Sequence, residues 1–207
     1  MTKQVLRDSK FTHIRSFDKE DIPLIIDCFA KFDWYKPKET FENYWHEQAQ
    51  SERLVWLAFY GEQLAGYVTL KWLSYYEPFR QQNIPEIMDL NVLPPYRNKG
   101  IGSLLLETAE KIAATRSKIV GLGVGLYHDY GNAQKLYIKR GYTLDGRGVT
   151  YQYKPVQPGS SASVDDDLVL WLTKKISFPV HPNRMQNSQI ETQRLILRPP
   201  RLGDEKP

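Results

Sequence analysis

Leu90-Asn91-Val92-Leu93-Pro94-Pro95-Tyr96-Arg97-Asn98-Lys99-Gly100-Ile101-Gly102 carries the chain from a short apolar strand through a proline-marked turn into a basic, glycine-containing loop. Beyond it, Ile101, Leu104, Leu105, Thr108, Ala109 and Ile112 recur at helical spacing, which predicts one apolar stripe facing a sheet; Glu107, Glu110 and Lys111 fall on the polar face. The first N–H groups of a helix have no intrahelical partner and sit at the positive end of its dipole. A strand, a glycine turn and such a helix start together form a cradle for anionic oxygens. Gly100 and Gly102 lack a Cβ, so a diphosphate can approach the amides of Asn98, Lys99, Gly100, Ile101, Gly102 and Ser103, while Arg97 and Lys99 add positive charge. A tight strand-to-helix turn without a ligand is the alternative. A dinucleotide fingerprint would need a third glycine where Leu105 stands, and a Walker loop would need Gly-Lys-Ser/Thr.

Upstream, residues 11–16 read as a strand, and a helix from Asp18 or Lys19 carries Ile22, Ile25, Ile26 and Phe29 on one face. A second, aromatic-rich helix is predicted over 38–48. Residues 53–60 and 63–73 read as strands joined at Gly61-Glu62, and 84–93 as the strand before the loop. Downstream, residues 119–126 alternate Val120, Leu122, Val124 and Leu126 with Gly121, Gly123 and Gly125. That bare face predicts close approach by a packed helix or by a ligand. A helix over 130–139, with Asp129 as its N-cap, precedes strands at 148–154 and 168–174; residues 155–167 between them read as a flexible loop. Strands alternating with helices, with hairpins at both ends, predict an α/β (α+β mixed) fold, a mixed sheet flanked by helices.

Composition bounds the function. A chain of 207 residues, 41% hydrophobic, can bury one substantial core. A net charge of +4 does not call for nucleic acid and suits a polyanionic ligand equally well. Cys28 alone excludes an intrachain disulfide, and its apolar neighbours predict a buried thiol. Four scattered histidines offer no spacing for zinc. The N-terminus is polar and no apolar run approaches membrane-spanning length, so a cytoplasmic protein with no membrane partner is expected.

The pattern Leu-x-Val-x-Pro-x-x-Arg-x-x-Gly-x-Gly resembles the acyl-CoA signature of the GNAT superfamily of N-acetyltransferases at every position, and the element order follows that superfamily over residues 10–176. The resemblance implies a central mixed, mostly antiparallel twisted sheet of about seven strands. It implies acetyl-CoA as cosubstrate without a metal, and direct attack by an acceptor's primary amine in a ternary complex. Leu90, Asn91 and Val92 would pair through their backbone with the pantetheine arm, and the Val92 N–H would steady the oxyanion. The amine must lose a proton and the departing thiolate gain one, so a base and an acid are needed. Alignment on the loop places Glu86 at the position of the base in histone-acetylating members, with Asp89 as competitor. Strand alternation sets these two on opposite faces unless a bulge intervenes. Either carboxylate alternatively serves an ordinary surface or ion-pair role.

Ala133, Tyr137, Gly141 and Tyr142 match the superfamily's Asn-x-x-Ala-x-x-x-Tyr and following Gly-Phe, which makes Tyr137 the acid; simple packing is its alternative. The asparagine position holds Tyr130, leaving Asn132 as substitute for the cofactor contact. Trp34, Tyr35, Tyr75 and Tyr76 come from segments that border the acceptor pocket in this superfamily, with Trp72 and Phe79 in the same segments. The acceptor is a small molecule or a protein amine, and a homodimer stays open.

Residues 178–207 form a tail in which the stretch from Glu191 resembles the start of a second, truncated acetyltransferase unit; a single edge-docking strand is the other reading. The acetyltransferase domain is accordingly expected over 1–177. Two other classes remain: a non-catalytic acyl-CoA-binding or regulatory module, and an RNA- or ribosome-associated protein using Lys135, Lys139, Arg140, Arg194, Arg198 and Arg201.

Overall fold

The structure, a computed structural model, describes residues 5–9, 12–177, 190–192 and 195–197. The chain divides into two compact units, Met1–Ser177 and Phe178–Pro207. In the first, β1 (Val5–Ser9) and β2 (Thr12–Ser16) are followed by α1 (Ile22–Ala30), α2 (Lys38–Ala49), β3 (Arg53–Tyr60), β4 (Gln63–Lys71), α3 (Glu77–Gln81) and β5 (Glu86–Val92). Then come α4 (Ile101–Ala113), β6 (Ile119–Gly125), α5 (Gly131–Lys139), β7 (Thr143–Tyr151), β8 (Lys154–Pro155) and β9 (Leu168–Lys175). One sheet runs in the order β1-β2-β3-β4-β5-β6-β9-β7-β8. Every neighbouring pair is antiparallel except β5 and β6.

The expected mixed, mostly antiparallel sheet flanked by helices therefore forms, with nine strands rather than about seven. The additions are β1 and the two-residue β8, both too short to show a hydrophobic period. The strand expected from Gly148 begins at Thr143. Its register on β9 shifts between Leu144 and Val149, where Gly146 and Gly148 have φ of +79° and +80°. A bulge there hides the alternation in the sequence. The loop expected to be flexible is tied at its far end, where Asp165 accepts from the Tyr151 hydroxyl at 3.0 Å and Asp166 from that of Tyr130 at 2.9 Å. Phe11, expected in the first strand, lies outside the described residues.

Local chemistry explains the element boundaries that matter. Asp18 accepts from Lys19 N at 2.7 Å while Asp21 accepts from Asp18 N at 2.9 Å, a reciprocal cap on a short 3-10 turn. The α-helix proper therefore starts at Ile22, with Pro23 in its first turn where no N–H is needed. Gly61, at φ +57°, closes the two-residue turn between β3 and β4.

The core lies on both faces of the sheet. α4 lays Ile101, Leu105, Leu106, Ala109 and Ala113 over Val68, Leu70, Ile87, Val120 and Leu122. On the other face α1 and α2 bring Ile25, Phe29 and Phe41 against Val55, Leu57 and Tyr67. Full burial of each such phenylalanine or isoleucine stabilises the fold by about 1.5–3 kcal/mol. Glu110, expected on the solvent face of α4, is buried instead, because Arg140, just after α5, and Lys174 of β9 close over it at 2.6 and 2.8 Å. Cys28 is half-buried rather than buried.

The bare face of β6 is covered by side chains of the chain itself, mostly aromatic, rather than by a ligand channel. A Cβ on Gly121 would meet Phe79 at 2.1 Å, one on Gly123 would meet Val169 at 2.7 Å, and one on Gly125 would meet Tyr130 at 2.4 Å. In the second unit, β10 (Ile190–Thr192) and β11 (Leu195–Leu197) pair antiparallel with each other, so the strand expected there is part of a hairpin. The rest of that stretch, with Arg194, Arg198 and Arg201, lies outside the described residues.

Candidate active site

The site begins where β5 leaves β6. The two strands are in register only at Glu86↔Gly121 and Ile87↔Leu122. Past that point β5 stays paired with β4, through Met88↔Thr69 and Asn91↔Tyr67, but not with β6. Three steps along β5 thus match two along β4, the signature of a bulge. Asp89 sits in it with φ +50°, in the left-handed region that a non-glycine residue enters only when its surroundings hold it there. Asn91 supplies part of that hold, its Nδ2 donating to the Asp89 carbonyl at 3.0 Å.

The bulge answers the condition that strand alternation sets for the two carboxylates. Asp89 accepts from the hydroxyl of Tyr44 on α2. Glu86 lies in the field of Arg53 and Lys71, both of which donate to Glu47 of α2, Lys71 at 2.7 Å. Both carboxylates therefore face the α1/α2 side. Glu86 is 3% exposed and its one described hydrogen bond comes from Ser74 Oγ at 2.5 Å. Burial pushes its carboxyl up to about 7, against the lowering effects of the Ser74 hydrogen bond and of Arg53. Tyr153, raised to about 12 mainly by burial and then by Glu86, has its ring 6.0 Å from that of Tyr75.

At the other end of β5 the loop behaves as the sequence predicts in backbone and only partly in side chains. Pro94–Tyr96 form a 3-10 turn, Asn98 and Gly100 have φ of +60° and +79°, and α4 starts at Ile101. No side chain caps α4, so its first amides point out of the helix unclaimed. Gly100 owes its place to its positive φ, since a Cβ there would meet nothing within 4 Å; one on Gly102 would touch Leu136 at 3.4 Å. Lys99 and Ser103 flank these amides. Arg97 is partly committed elsewhere, its Nε donating to the Val92 carbonyl at 3.1 Å and bracing the loop on the strand.

Tyr137 projects from α5 into the same region. Its ring is buried, and no hydrogen bond to its hydroxyl is formed among the described residues. Burial, and then the charge of Asp89, raise its pKa, so the phenol keeps its proton. Asn132 is exposed on the first turn of α5. In its place Gln134 of α5 reaches β6, its Nε2 donating to the Gly125 carbonyl at 2.9 Å. Asp129 does not cap α5; it meets His128 at 2.8 Å, and the helix starts after Tyr130 without a side-chain cap.

The aromatic residues separate. Trp34 is half-buried, 5.3 Å from Phe29, with Lys36 and Arg97 over its ring. Tyr35 is 79% exposed, and Tyr75 is exposed with its hydroxyl 3.3 Å from Glu47. Tyr76 belongs to packing instead: its ring stacks on Trp171 at 4.0 Å and its hydroxyl donates to Asp145 at 2.9 Å. The basic stretch on α5 loses Arg140 to Glu110. Among the described residues no group of His, Cys, Asp or Glu is placed to hold a metal, and no helix is long and apolar enough to cross a membrane.

Several residues of the site have no counterpart in the sequence reading. Arg53, fully buried, donates to Glu47 and to Thr69 Oγ1 at 2.6 Å and lies over the Tyr44 ring at 4.4 Å. Arg53 is on β3 and these partners are on α2 and β4, with no common spacing. Lys36 is different, since a lysine between Trp34-Tyr35 and Pro37 is a visible signal of a cation beside aromatic rings.

A free strand edge beside an uncapped helix start suits an extended ligand that ends in phosphates. The comparisons agree. Residues 22–142 match the model of the acetyltransferase (GNAT) family, more than half of the chain. Among solved structures, the acetyltransferase that modifies the N-terminal serine of 50S ribosomal subunit protein L7/L12 from Salmonella typhimurium aligns over 84% of this chain and 100% of its own, with TM-score 0.62 and 14% identity. A ribosomal L7/L12 α-N-protein acetyltransferase in complex with coenzyme A aligns over 84% and 98%, with TM-score 0.62 and 14% identity. A GNAT acetyltransferase from Streptococcus pneumoniae aligns over 80% and 99%, with TM-score 0.58 and 21% identity. No curated protein sequence matches. With its family model, its sheet and its splayed strand in agreement, this chain belongs to the GNAT family of acetyltransferases.

Proposed function

We propose that Glu86 takes the proton from the acceptor amine and that Tyr137 returns one to the departing sulfur, in a chain whose activity is acetyl-CoA-dependent N-acetylation of an amine. The observation that carries this reading is the bulge at Asp89, which opens the β5 edge and turns both carboxylates to one face. The residues present fit acetyl-CoA. The uncapped start of α4, with Gly100 open to solvent and Lys99 beside it, takes the diphosphate; Leu90, Asn91 and Val92 offer main-chain groups to the pantetheine arm. The Val92 N–H is the donor assigned to the developing oxyanion. When bound, the thioester supplies the electrophilic carbon.

An alkyl ammonium near neutral pH must be deprotonated before it attacks. Glu86 suits the task because a base works best with a pKa close to the working pH, and burial brings it to about 7. Its burial requires that the proton travel through a water or through the Ser74 hydroxyl. Asp89, on the bulge and exposed, attracts the cationic acceptor and competes for the base role. Tyr137 carries its proton at every physiological pH and has its hydroxyl unengaged, as a donor must. Trp34, Tyr35 and Tyr75 border the acceptor; a small-molecule amine and a protein amine both fit so open a rim. Dependence on acetyl-CoA supports a cytoplasmic setting, and the compact unit Met1–Ser177, which holds the proposed site residues, supports residues 1–177 as the catalytic domain.

Release of free thiol from acetyl-CoA across a panel of amines tests the reading. Turnover with an acidic limb near pH 7 that disappears in Glu86→Gln is expected. A variant with an unaltered pH–rate profile passes the role to Asp89, and acetyl-CoA binding with no turnover on any amine favours a non-catalytic module.

A further inference from the structure

The loop between α1 and α2 turns one of its own lysines inward. The Lys36 ammonium lies 4.8 Å from the ring centre of Trp34, 5.2 Å from that of Phe29 and 5.5 Å from that of Tyr67. Three aromatic rings around a charged nitrogen make a cation cage, and its occupant is a primary amine of the same chain. Nζ also donates to Asn91 Oδ1 at 3.3 Å. Asn91 stands on the part of β5 that has left β6, between Leu90 and Val92, and its other amide atom holds the bulge.

Other lysines are placed differently. Lys38 and Lys111 are exposed and pair with glutamates one helical turn away, while Lys71 and Lys174 are drawn onto Glu47 and Glu110. Lys36 has a neutral carboxamide as its hydrogen-bond partner. Burial lowers its pKa, the charges of Asp89 and Asp166 opposing that shift, so a larger share of it is free amine than of an exposed lysine.

We propose that Lys36 is an acceptor in cis: with acetyl-CoA in the gap between β5 and β6, the chain acetylates its own Lys36. This rests on the assignment of that gap to the thioester. The ammonium first gives one proton to Asp89 or to water. Nζ then bonds to the carbonyl carbon, the carbon–sulfur bond breaks, and the second nitrogen proton ends on the coenzyme thiol. No redox partner is needed. The product amide is stable, so the event occurs once per chain and replaces the caged cation by a neutral acetamide.

The full chain incubated with acetyl-CoA and followed by intact mass and peptide mapping gives the readout, with calorimetry of acetyl-CoA binding run beside it. One acetyl group at Lys36 is expected, at a rate that does not change when the protein is diluted. Lys36→Arg keeps the cation and loses the mark; Lys38→Arg, at an exposed position, keeps the mark. Binding without acetylation of Lys36, acetyl groups spread evenly over surface lysines, or a rate that falls on dilution overturns the inference while leaving the gap assigned. Absence of binding heat removes the assignment itself, and the inference with it.

Discussion

Glu86 and Glu110 are both shielded from solvent, 3% and 7% exposed, yet their carboxyl pKa values move in opposite directions. Burial pushes both upward. At Glu110 the hydrogen bonds from Arg140 and Lys174 outweigh burial and hold the carboxyl below the ordinary carboxylate range. At Glu86 the hydrogen-bond donor is the Ser74 hydroxyl, and the cations that could compensate, Arg53 and Lys71, are drawn onto Glu47. The same residue type, shielded from solvent in both places, is thus held as an anion by its two cations between α4, α5 and β9, and is a titrating group at the start of β5, where burial is deeper and no cation among the described residues bonds it. A strongly perturbed carboxyl beside a broken strand pair is a candidate for the proposed chemistry, whereas a fully compensated one belongs to the framework.

The largest effect expected from this contrast is catalytic. Glu86→Gln should lower kcat by about 10²–10⁴-fold and abolish the acidic limb of the pH–rate profile. The same variant should be more stable than the parent at alkaline pH. The folded pKa of about 7 lies above the ordinary 4.5, so the contribution of Glu86 is complete below 4.5 and lost as pH rises through about 7. Denaturant unfolding at pH 8 should show a gain on the order of 2 kcal/mol. An unchanged midpoint would mean that Glu86 ionises in the fold at no cost.

Tyr137→Phe comes next, with kcat lower by about 10²-fold and acetyl-CoA affinity nearly intact, because the lost hydroxyl makes no described hydrogen bond. Full turnover would return Tyr137 to a packing role. Glu110→Gln tests the other half of the contrast. It leaves Arg140 and Lys174 without their shared carboxylate, at a loss of about 2 kcal/mol, since both cations keep part of their surface in water. The sign with pH is the reverse of that at Glu86. The contribution of Glu110 is present above the ordinary carboxylate pKa and lost as pH falls through its lowered value, so parent and variant should converge in acid.

The sequence shows unequal amounts of these two regions. The loop at 93–103 is legible because proline, glycine and basic residues fix it locally, and the element order that gives the sheet follows from periodicity. Glu86 and Asp89 are legible as candidates through the alignment of that loop on the GNAT signature, and Tyr137 through its own match with Ala133, Gly141 and Tyr142. What brings the carboxylates to one face is a bulge, and a bulge depends on how β5 meets β4 and β6, which no local pattern records. Glu110 misleads for a related reason. The period of α4 puts it on the polar face, and only Arg140 and Lys174, from two other elements, bury it. The glycines of β6 make room for rings supplied by Phe79, Trp171 and Tyr130, whose approach is equally a matter of tertiary packing.

The smallest effect sharpens the comparison most directly, because it alters one hydrogen bond and neither carboxylate. Ser74 Oγ donates to Glu86 and accepts from Tyr76 N at 2.9 Å. Donation to a carboxylate favours its charged form, so Ser74 works against the effect of burial. Ser74→Ala removes that opposition, and the acidic limb of the pH–rate profile should move to higher pH with kcat on the alkaline plateau retained. The loss of stability should be about 1 kcal/mol, part of it from the unsatisfied Tyr76 N–H. A limb that stays in place while stability falls would show that water, rather than the serine, solvates Glu86. A limb that moves to lower pH would contradict this account, since it would mean that the Ser74 hydroxyl had opposed the Glu86 anion rather than favoured it.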